Sequence, residues 1–265
     1  TWFAKSSGTT SEKSKFIPIS NECLKKCHYK AGKDVLLLYL KNFPDTNIFS
    51  GKALTLGGSH KLHKNKNIYF GDLSAILIEN LPFWTEIIKA PSKNIALIEN
   101  FEEKIDKISK ATINENITYL IGVPSWNLVL IKHILSITGK SNLLEVWPNL
   151  ELFIHGGVSF TPYIDQFKKL IPSPTMRYME TYNASEGFFA IQDDFSRNDM
   201  LLMMDYGIFY EFVPFEKIDN PFNNTYTINE VQTGINYAMI ITTNGGLWRY
   251  VIGDTIMFTS LYPHK

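Results

Sequence analysis

A cluster of small hydroxyl side chains near the beginning of the chain has the composition of a phosphate-binding loop. The stretch KSSGTTSEKSKFIP also contains Lys13 and Lys15 as candidate cations. Backbone N–H groups around a glycine and short hydroxyls approach phosphate oxygens without steric bulk. The Gly-Lys-Ser/Thr of a Walker A motif is absent, so the stretch taken alone is also consistent with a solvated surface loop. The candidate phosphate ligands are Ser6, Ser7, Gly8, Thr9 and Thr10.

A Tyr-x-x-Ser-Glu pattern lies in the second half of the chain, between two strand-like segments. Its members are Tyr182, Ser185 and Glu186, within ETYNASEGFF. A carboxylate at a strand end can hold Mg²⁺ against phosphate oxygens, and a nearby tyrosine ring can stack on a base. The alternative is that Glu186 is an exposed loop residue and Tyr182 packs in the core.

A Gly-Asp pair follows an apolar strand in LWRYVIGDTI. A carboxylate at the end of a strand, here Asp254, can accept hydrogen bonds from both hydroxyls of a ribose. Gly-Asp is also a common turn dipeptide, and that interpretation stays open for an isolated match.

Two adjacent glycines come after a predicted strand in WPNLELFIHGGVSF. Gly156 and Gly157 either let the backbone approach a flat ligand such as adenine or simply turn the chain. We expect His155 to be a packed histidine rather than a base. His60 and His63 have no cysteine or acidic residue nearby to complete a ligand set, so no metal is expected there.

The composition excludes several classes of function. Lys+Arg and Asp+Glu both number 26 in 265 residues, and the arginines are Arg177, Arg197 and Arg249 only, which disfavours binding to nucleic acid. Cys23 and Cys27 lie on one face of a predicted helix, as small core residues. Two cysteines exclude a disulfide framework and favour a reducing, cytoplasmic setting. No apolar run is long enough to span a bilayer, so no membrane partner is expected.

The elements that must position these residues alternate between helices and strands. Helices are predicted in SNECLKKCHYKAGKDVLLLYLKNFP, capped by Ser20 and stopped by Pro44, and in GDLSAILIENLPFWTEIIKAP, capped by Asp72 and interrupted at Pro82. A charged amphipathic helix is predicted in NIALIENFEEKIDKISKA. Then follow strand, helix, strand and helix, in ITYLIGVP, SWNLVLIKHILSIT, LELFIHGG and TPYIDQFKKLI.

The last third of the chain is rich in predicted strands. TMRYMETYNASEGFFAIQ, MLLMMDYGIFYEFVP, NYAMIITTNGGLWRYVIGD and TIMFT are aromatic and β-branched, and Asn-Gly-Gly marks a turn. The pattern predicts an α/β fold with mixed β-sheets covered by helices and a β-rich C-terminal part. The helix-rich part covers about 1–172 and the β-rich part about 173–265.

The motifs gain specificity from their order. Ser-Ser-Gly-Thr-Thr, Gly-Gly, Tyr-x-x-Ser-Glu and Tyr-x-x-Gly-Asp follow one another as in adenylate-forming enzymes. The chain resembles the Gretchen Hagen 3 family of acyl acid–amido synthetases, also called the auxin-responsive promoter family. The segments that carry the resemblance are SSGTTSEKSKFIP, GDLSAIL, GVPSW, YNASEGFFAIQ, MDYGIFYEFVP and GLWRYVIGDT. The resemblance runs from one end of the chain to the other.

The resemblance implies an ATP- and Mg²⁺-dependent reaction in two steps. A carboxylic acid attacks the α-phosphate of ATP, and an amino acid then displaces AMP from the acyl-adenylate. By motif match, Glu186 binds Mg²⁺ and, with Thr9, belongs to the catalytic set. The predicted nucleotide contacts are Ser6, Ser7, Gly8, Thr9 and Thr10 for phosphate, Tyr182 and Ser185 for adenine and phosphate, Gly156, Gly157 and Val158 for adenine, and Asp254 for ribose. Ser125 and Trp126 in GVPSW are expected to border the acyl pocket.

The resemblance also implies that the chain is part of something longer. Family members continue past the ribose-binding aspartate into a small closing domain, whereas this sequence ends at Lys265. We therefore expect a single partial adenylation domain over 1–265 that lacks that domain. Two alternatives remain open at this point: an acyl-CoA ligase of the same superfamily, and a non-catalytic nucleotide- or acyl-binding module.

Overall fold

The structure is a computed structural model that describes residues 2–6, 15–58, 63–65 and 68–265, and the chain divides into two compact units. Unit 1 comprises Thr1–Asn42, Asn65–Phe70 and Tyr182–Lys265. Unit 2 comprises Phe43–Lys64 and Gly71–Thr181. The Tyr-x-x-Ser-Glu and Gly-Asp motifs both fall in unit 1, and the Gly-Gly pair falls in unit 2.

Strands and helices are interspersed along the described residues, and many of them are short. The strands are β1 (Trp2–Ser6), β2 (Lys15–Ile19), β3 (Lys52–Leu56), β4 (His63–Asn65), β5 (Ile68–Gly71), β6 (Lys89–Ala90), β7 (Ile117–Gly122), β8 (Leu152–Gly156), β9 (Arg177–Ala184), β10 (Gly187–Ile191), β11 (Leu201–Leu202), β12 (Ile208–Pro214), β13 (Asn236–Thr243) and β14 (Tyr250–Met257). The helices are α1 (Asn21–Cys23), α2 (Lys30–Asn42), α3 (Leu73–Glu79), α4 (Thr85–Ile88), α5 (Lys93–Ala96), α6 (Phe101–Thr112), α7 (Pro124–Thr138) and α8 (Ile164–Leu170). A π-helical stretch (Leu24–Tyr29) joins α1 to α2, and short 3-10 turns cover Ile48–Ser50, Leu143–Glu145, Phe215–Lys217 and Pro221–Asn223.

Unit 2 is built on parallel strands covered by helices. Its strands follow the order β9-β8-β7-β3-β6, and each of these pairs is parallel. Leu152, Phe153, Ile154 and His155 of β8 are all buried, as expected for a strand covered on both faces. Parallel strands bring their carboxyl ends to one edge of a sheet. That edge therefore carries the residues that follow β3, β7 and β8.

Unit 1 contains antiparallel sheets. One sheet has the order β12-β13-β14, and another joins β1 to β2 on one side and to β5 on the other. The predicted turn at Asn244-Gly245-Gly246 is confirmed between β13 and β14. Together the two units confirm the mixed α/β fold class and its β-rich C-terminal part.

The first predicted helix is confirmed at both ends. The Ser20 hydroxyl accepts a hydrogen bond from the backbone N–H of Cys23 at 2.9 Å, and helical structure ends at Asn42, ahead of Pro44. Cys23 and Cys27 are buried, as predicted for small core residues, and Cys27 Sγ accepts a hydrogen bond from the N–H of Phe188.

The charged helix and the strand β3 differ from the prediction. The charged helix is interrupted between α5 and α6, where the Asn100 side chain accepts a hydrogen bond from the N–H of Glu103 and caps a new helix. The short strand β3 was not predicted, although it pairs with both β6 and β7. Five residues between two glycines carry too little periodicity to identify a strand.

Candidate nucleotide site

A lysine, a tyrosine and a glutamate form a hydrogen-bonded chain in unit 1. Lys15 Nζ donates to the phenol oxygen of Tyr250 at 3.2 Å, and this phenol donates to Oε1 of Glu186, also at 3.2 Å. Lys15 begins β2, Glu186 lies in the turn after β9, and Tyr250 begins β14. Three distant segments thus bring a cation, a hydroxyl and a carboxylate together.

A second pair in the same unit joins two predicted site residues. The phenol of Tyr182 donates to Oδ2 of Asp254 at 2.7 Å. Asp254 is exposed, so its carboxylate can accept further hydrogen bonds. The Tyr182 ring packs against Phe189, with ring centroids 4.9 Å apart. This packing restrains the ring whose phenol donates to Asp254.

The local backbone determines where the side chains of Glu186 and Asp254 lie. Ser185 and Glu186 are the two residues between β9 and β10, and Glu186 is only 7% exposed, so its interpretation as an exposed loop residue was wrong. Asp254 was expected just after a strand but lies inside β14. The β13–β14 register shifts between Ala238 and Ile240, and Gly253 adopts a φ of +95° within this irregularity. A bulge of this kind re-aims a side chain, which a sequence pattern of period two does not reveal.

Charges in both hydrogen-bonded sets affect the pKa values of Glu186 and Tyr182. Burial raises the pKa of Glu186, and the Asp254 carboxylate adds to this effect, while the Tyr250 hydrogen bond and the Lys15 charge oppose it. Burial, followed by the hydrogen bond to Asp254, raises the pKa of Tyr182 well above its usual range. A carboxylate such as Glu186, whose charge is disfavoured by burial and by a second carboxylate, favours a nearby cation.

The predicted phosphate loop is only partly described. Ser6 ends β1 and stands opposite Lys15 of β2 in an antiparallel pair. Ser7, Gly8, Thr9 and Thr10 lie outside the described residues, as does His60, and the side chain of Ser6 is not described. Lys15, which the structure describes, follows the predicted loop in sequence. Its hydrogen bond to Tyr250 links it, through that phenol, to Glu186.

The Gly-Gly motif lies in unit 2, at the carboxyl end of β8. Gly156 is the last residue of β8 and pairs with Thr181 of β9, the residue before Tyr182. Gly157 has a φ of +81°, a conformation that only glycine adopts readily, and Val158 is 44% exposed. The geometry is that of an open backbone turn with one apolar side chain facing solvent.

His155 is packed, as predicted. It is 3% exposed, and its ring stacks on that of Phe160 with centroids 4.2 Å apart. Burial lowers the pKa of His155 to about 4, so the imidazole is neutral at physiological pH. A neutral, enclosed ring of this kind contributes to packing.

The predicted acyl-pocket residues follow β7. Ser125 and Trp126 lie in the first turn of α7, and both are partly buried. The Trp126 ring packs against Phe101 with centroids 6.3 Å apart. They stand at the same edge of the unit 2 sheet as Gly156 and Gly157.

Sequence reasoning assigned no separate role to Tyr250, which touches both Lys15 and Glu186. The sequence feature that could have identified Tyr250 is its position as the first residue of the Tyr-x-x-Gly-Asp motif. Within the described part of the chain, no group of three or more His, Cys, Asp or Glu side chains is arranged to hold a metal. None of the helices described has both the length and the apolar character to cross a bilayer.

Comparisons with known proteins agree with the motif order. Residues 1–176 match the GH3 family N-terminal domain and residues 201–265 match the GH3 family central domain. Over 186 residues the chain is 25% identical to indole-3-acetic acid-amido synthetase GH3.3 of Arabidopsis thaliana, covering 62% of this chain and 30% of that protein. It is 25% identical over 134 residues to 4-substituted benzoates-glutamate ligase GH3.12 of the same plant, covering 46% of this chain and 22% of that protein.

Solved structures show the same fold. The acyl acid amido synthetase AtGH3.15, solved in complex with 2,4-DB, superposes with a TM-score of 0.79 at 16% identity, covering 97% of this chain and 53% of that one. A 2-hydroxyisobutyryl-CoA ligase superposes with a TM-score of 0.58 at 11% identity, covering 94% and 51%. The chain thus spans about half the length of these structures and less than a third of the curated relatives it matches.

Proposed function

Because the chain belongs to the GH3 family, we propose that it carries the nucleotide site of an ATP-dependent acyl acid–amido synthetase. The curated relatives are named an indole-3-acetic acid-amido synthetase and a 4-substituted benzoates-glutamate ligase. The observation that carries the proposal is the convergence in unit 1 of Lys15, Tyr182, Glu186, Tyr250 and Asp254 through two hydrogen-bonded sets. We assign residues 1–265 to one partial adenylation domain, in keeping with the chain's covering about half of the solved relative.

The proposed reaction transfers the adenylyl group and then the acyl group. A carboxylate oxygen of the acid attacks the α-phosphorus of ATP, and the bond to pyrophosphate breaks. The amine of an amino acid then attacks the acyl carbon, and the bond to AMP breaks as the amine loses a proton. The first step brings an anion against a polyanion, so the protein's task is to orient donors and offset charge.

The phosphate part of the site is assigned to the first loop and its flank. Ser6, Ser7, Gly8, Thr9 and Thr10 would hold phosphate oxygens, and Thr9 is also assigned to the catalytic set. The Lys15 ammonium would neutralise a phosphate oxygen from its position beside Tyr250. This assignment is supported by the hydrogen bond from Lys15 to the motif residue Tyr250.

Magnesium fits the donor set at Glu186. Mg²⁺ is commonly bound through one or two carboxylates together with substrate phosphates, so a dedicated cage of several acidic side chains is not required. Glu186 is a buried carboxylate whose charge is disfavoured without a further cation. Bound there, Mg²⁺ would offset the negative charge of the phosphates, while Tyr250 keeps the carboxylate oriented through its hydrogen bond.

The contacts to the nucleoside are assigned residue by residue, from the motif match. Asp254 would accept the ribose hydroxyls, oriented by the phenol of Tyr182. Ser185 would contact the adenine and phosphate region. The backbone at Gly156, Gly157 and Val158 would border adenine, because the turn at Gly157 presents main chain without a side chain in the way.

The cytoplasm is the proposed compartment. Both cysteines are free and buried, which is compatible with a reducing environment. A small carboxylic acid and an amino acid are the proposed substrates.

The acceptor decides between amido synthetase and acyl-CoA ligase. The full-length protein would be incubated with ATP, Mg²⁺ and a panel of aryl, indolyl and aliphatic acids, with either mixed amino acids or coenzyme A, and products identified by mass spectrometry. We expect amides that appear only with amino acids. Thioesters formed only with coenzyme A would replace the proposal with the ligase, and bound but unreacted ATP with every acid would indicate a binding module.

A further inference from the structure

Arg249 adopts a backbone conformation that its side chain does not favour. Its φ is +43°, and among the residues the structure describes it is the one non-glycine residue with a positive φ. A left-handed backbone brings Cβ close to the following carbonyl, so a bulky residue stays there only where its surroundings hold it. The next residue is Tyr250, the first of β14.

Three contacts hold Arg249 in place. Its guanidinium donates to both carboxylate oxygens of Glu211, from Nε to Oε2 at 3.0 Å and from Nη2 to Oε1 at 2.8 Å. Its backbone N–H donates to Oγ1 of Thr242 at 3.0 Å. Its guanidinium also lies over the ring of Phe222, 4.9 Å from the centroid. A forked pair of hydrogen bonds fixes both distance and orientation, which a single contact does not.

The two neighbours contact separate sets of residues. Arg249 contacts Glu211 of β12 and Thr242 of β13, whereas Tyr250 contacts Lys15 and Glu186. Tyr250 also pairs with Ile241 of β13 at the start of the strand. Tyr250 directly follows Arg249 in the chain, so the left-handed backbone at Arg249 determines the direction in which the Tyr250 side chain leaves the strand.

We propose that Arg249 is a positioning residue, which through Glu211 and Thr242 holds the start of β14 so that the Tyr250 hydroxyl meets Lys15 and Glu186. Its effect on nucleotide binding rests on the proposed function. The effect on Tyr250 rests on geometry alone. If the forked pair only stabilised the sheet, its loss would affect folding and leave Tyr250 where it is.

The variants separate these two roles. Arg249→Lys keeps the positive charge but cannot form the fork, and Glu211→Gln removes the carboxylate and supplies a second variant should the first fold poorly. Arg197→Lys is the matched control, because Arg197 Nε also bonds both oxygens of a carboxylate in unit 1, Asp199, at 2.9 and 3.0 Å. All variants are made in the full-length protein.

The first readout requires no nucleotide. The protein is labelled with ζ-¹³C tyrosine, the Tyr250 resonance is assigned by its loss in Tyr250→Phe, and spectra are compared at one fixed pH. We expect that resonance to shift in Arg249→Lys and Glu211→Gln but not in Arg197→Lys. An unmoved Tyr250 resonance in folded Arg249→Lys protein would overturn the proposal.

The second readout is the affinity for Mg·ATP, measured as a double-mutant cycle. We expect Arg249→Lys to weaken binding about tenfold, or about 1.4 kcal/mol, in the presence of Tyr250, and less than twofold in the Tyr250→Phe background. Equal losses in both backgrounds would contradict action through Tyr250. If the unsubstituted protein bound no Mg·ATP, the proposed function would fail, and the tyrosine spectrum would still decide the role of Arg249.

Discussion

The phenol of Tyr182 donates a hydrogen bond to the carboxylate of Asp254 across 72 positions of the chain, at 2.7 Å. The tyrosine belongs to β9 and the aspartate to β14, so neither strand alone creates the pair. The phenol bonds one oxygen of the exposed Asp254 carboxylate, and the carboxylate keeps acceptor sites for the two ribose hydroxyls of the proposed contact.

Asp254→Asn is expected to weaken ATP binding about tenfold to a hundredfold. Hydrogen bonds to a charged acceptor contribute about 1.5–3 kcal/mol, and the amide offers only one acceptor oxygen. The result specific to a ribose contact is the difference in affinity between ATP and an analogue that lacks a ribose hydroxyl. The unsubstituted protein should prefer ATP to 3′-deoxy-ATP, and calorimetry should show that Asp254→Asn loses this preference. Exposed Asp219, changed to Asn, serves as the control. A preference that survives Asp254→Asn would remove the ribose assignment.

Lys15→Met should weaken the binding of ATP about tenfold while changing the binding of adenosine less than twofold. The ammonium acts on phosphate charge in the proposed site, and adenosine carries none. Lys33, an exposed lysine of α2 in the same unit, is the control through Lys33→Met. Equal effects on the two ligands would show that Lys15 supports Tyr250 structurally rather than binding phosphate.

Glu186→Gln should raise the stability of the metal-free protein at neutral pH while reducing its affinity for Mg·ATP. The pKa of Glu186 is raised above its ordinary value of 4.5, mainly by burial. The folded chain therefore holds a proton to higher pH than the unfolded chain, and stability falls as pH rises from about 4.5 through the raised pKa. Glutamine does not ionise, so Glu186→Gln lacks that loss of stability. Its free energy of unfolding should exceed that of the unsubstituted protein at pH values above the raised pKa, and the difference should vanish below about pH 4.5.

Urea unfolding in EDTA across this pH range measures the effect, with Glu230→Gln as an opposite control. The N–H and hydroxyl of Thr227 lower the pKa of Glu230, so its charge stabilises the fold above its ordinary pKa and the benefit is lost as pH falls. Glu230→Gln should therefore be less stable than the unsubstituted chain at neutral pH. A Glu186→Gln protein that is destabilised in the same way would show that the carboxylate serves folding rather than a cation.

Val158→Lys should reduce ATP affinity about tenfold without changing the unfolding midpoint. Val158 is 44% exposed, so folding tolerates a charge there, but adenine packed against it would bury that charge without a partner. Val129 of α7, also in unit 2 and 48% exposed, provides Val129→Lys as a control with matched exposure. Unchanged ATP affinity in Val158→Lys would place adenine elsewhere.

The sequence singled out candidate site residues, but it did not reveal how their side chains are arranged. Glu186, Tyr182 and Asp254 could be singled out because carboxylates and a tyrosine stood beside strand-like segments in a specific order. The bulge at Gly253 and the hydrogen bond from Tyr182 to Asp254 could not be predicted, because both depend on how β14 registers with β13. Arg249 and Glu211 were missed for the same reason. Their pairing connects two strands, and nothing in either local pattern marks it.

Carboxylate-dependent exchange of labelled pyrophosphate into ATP tests the central claim most directly, because it reports adenylation without requiring the amine step. The full-length protein would be assayed with the acid panel, with Glu186→Gln and Glu230→Gln in parallel. We predict exchange that depends on one class of carboxylic acid, persists in Glu230→Gln and falls by at least about a hundredfold in Glu186→Gln. Exchange with none of the acids, or exchange undiminished in Glu186→Gln, would contradict the account.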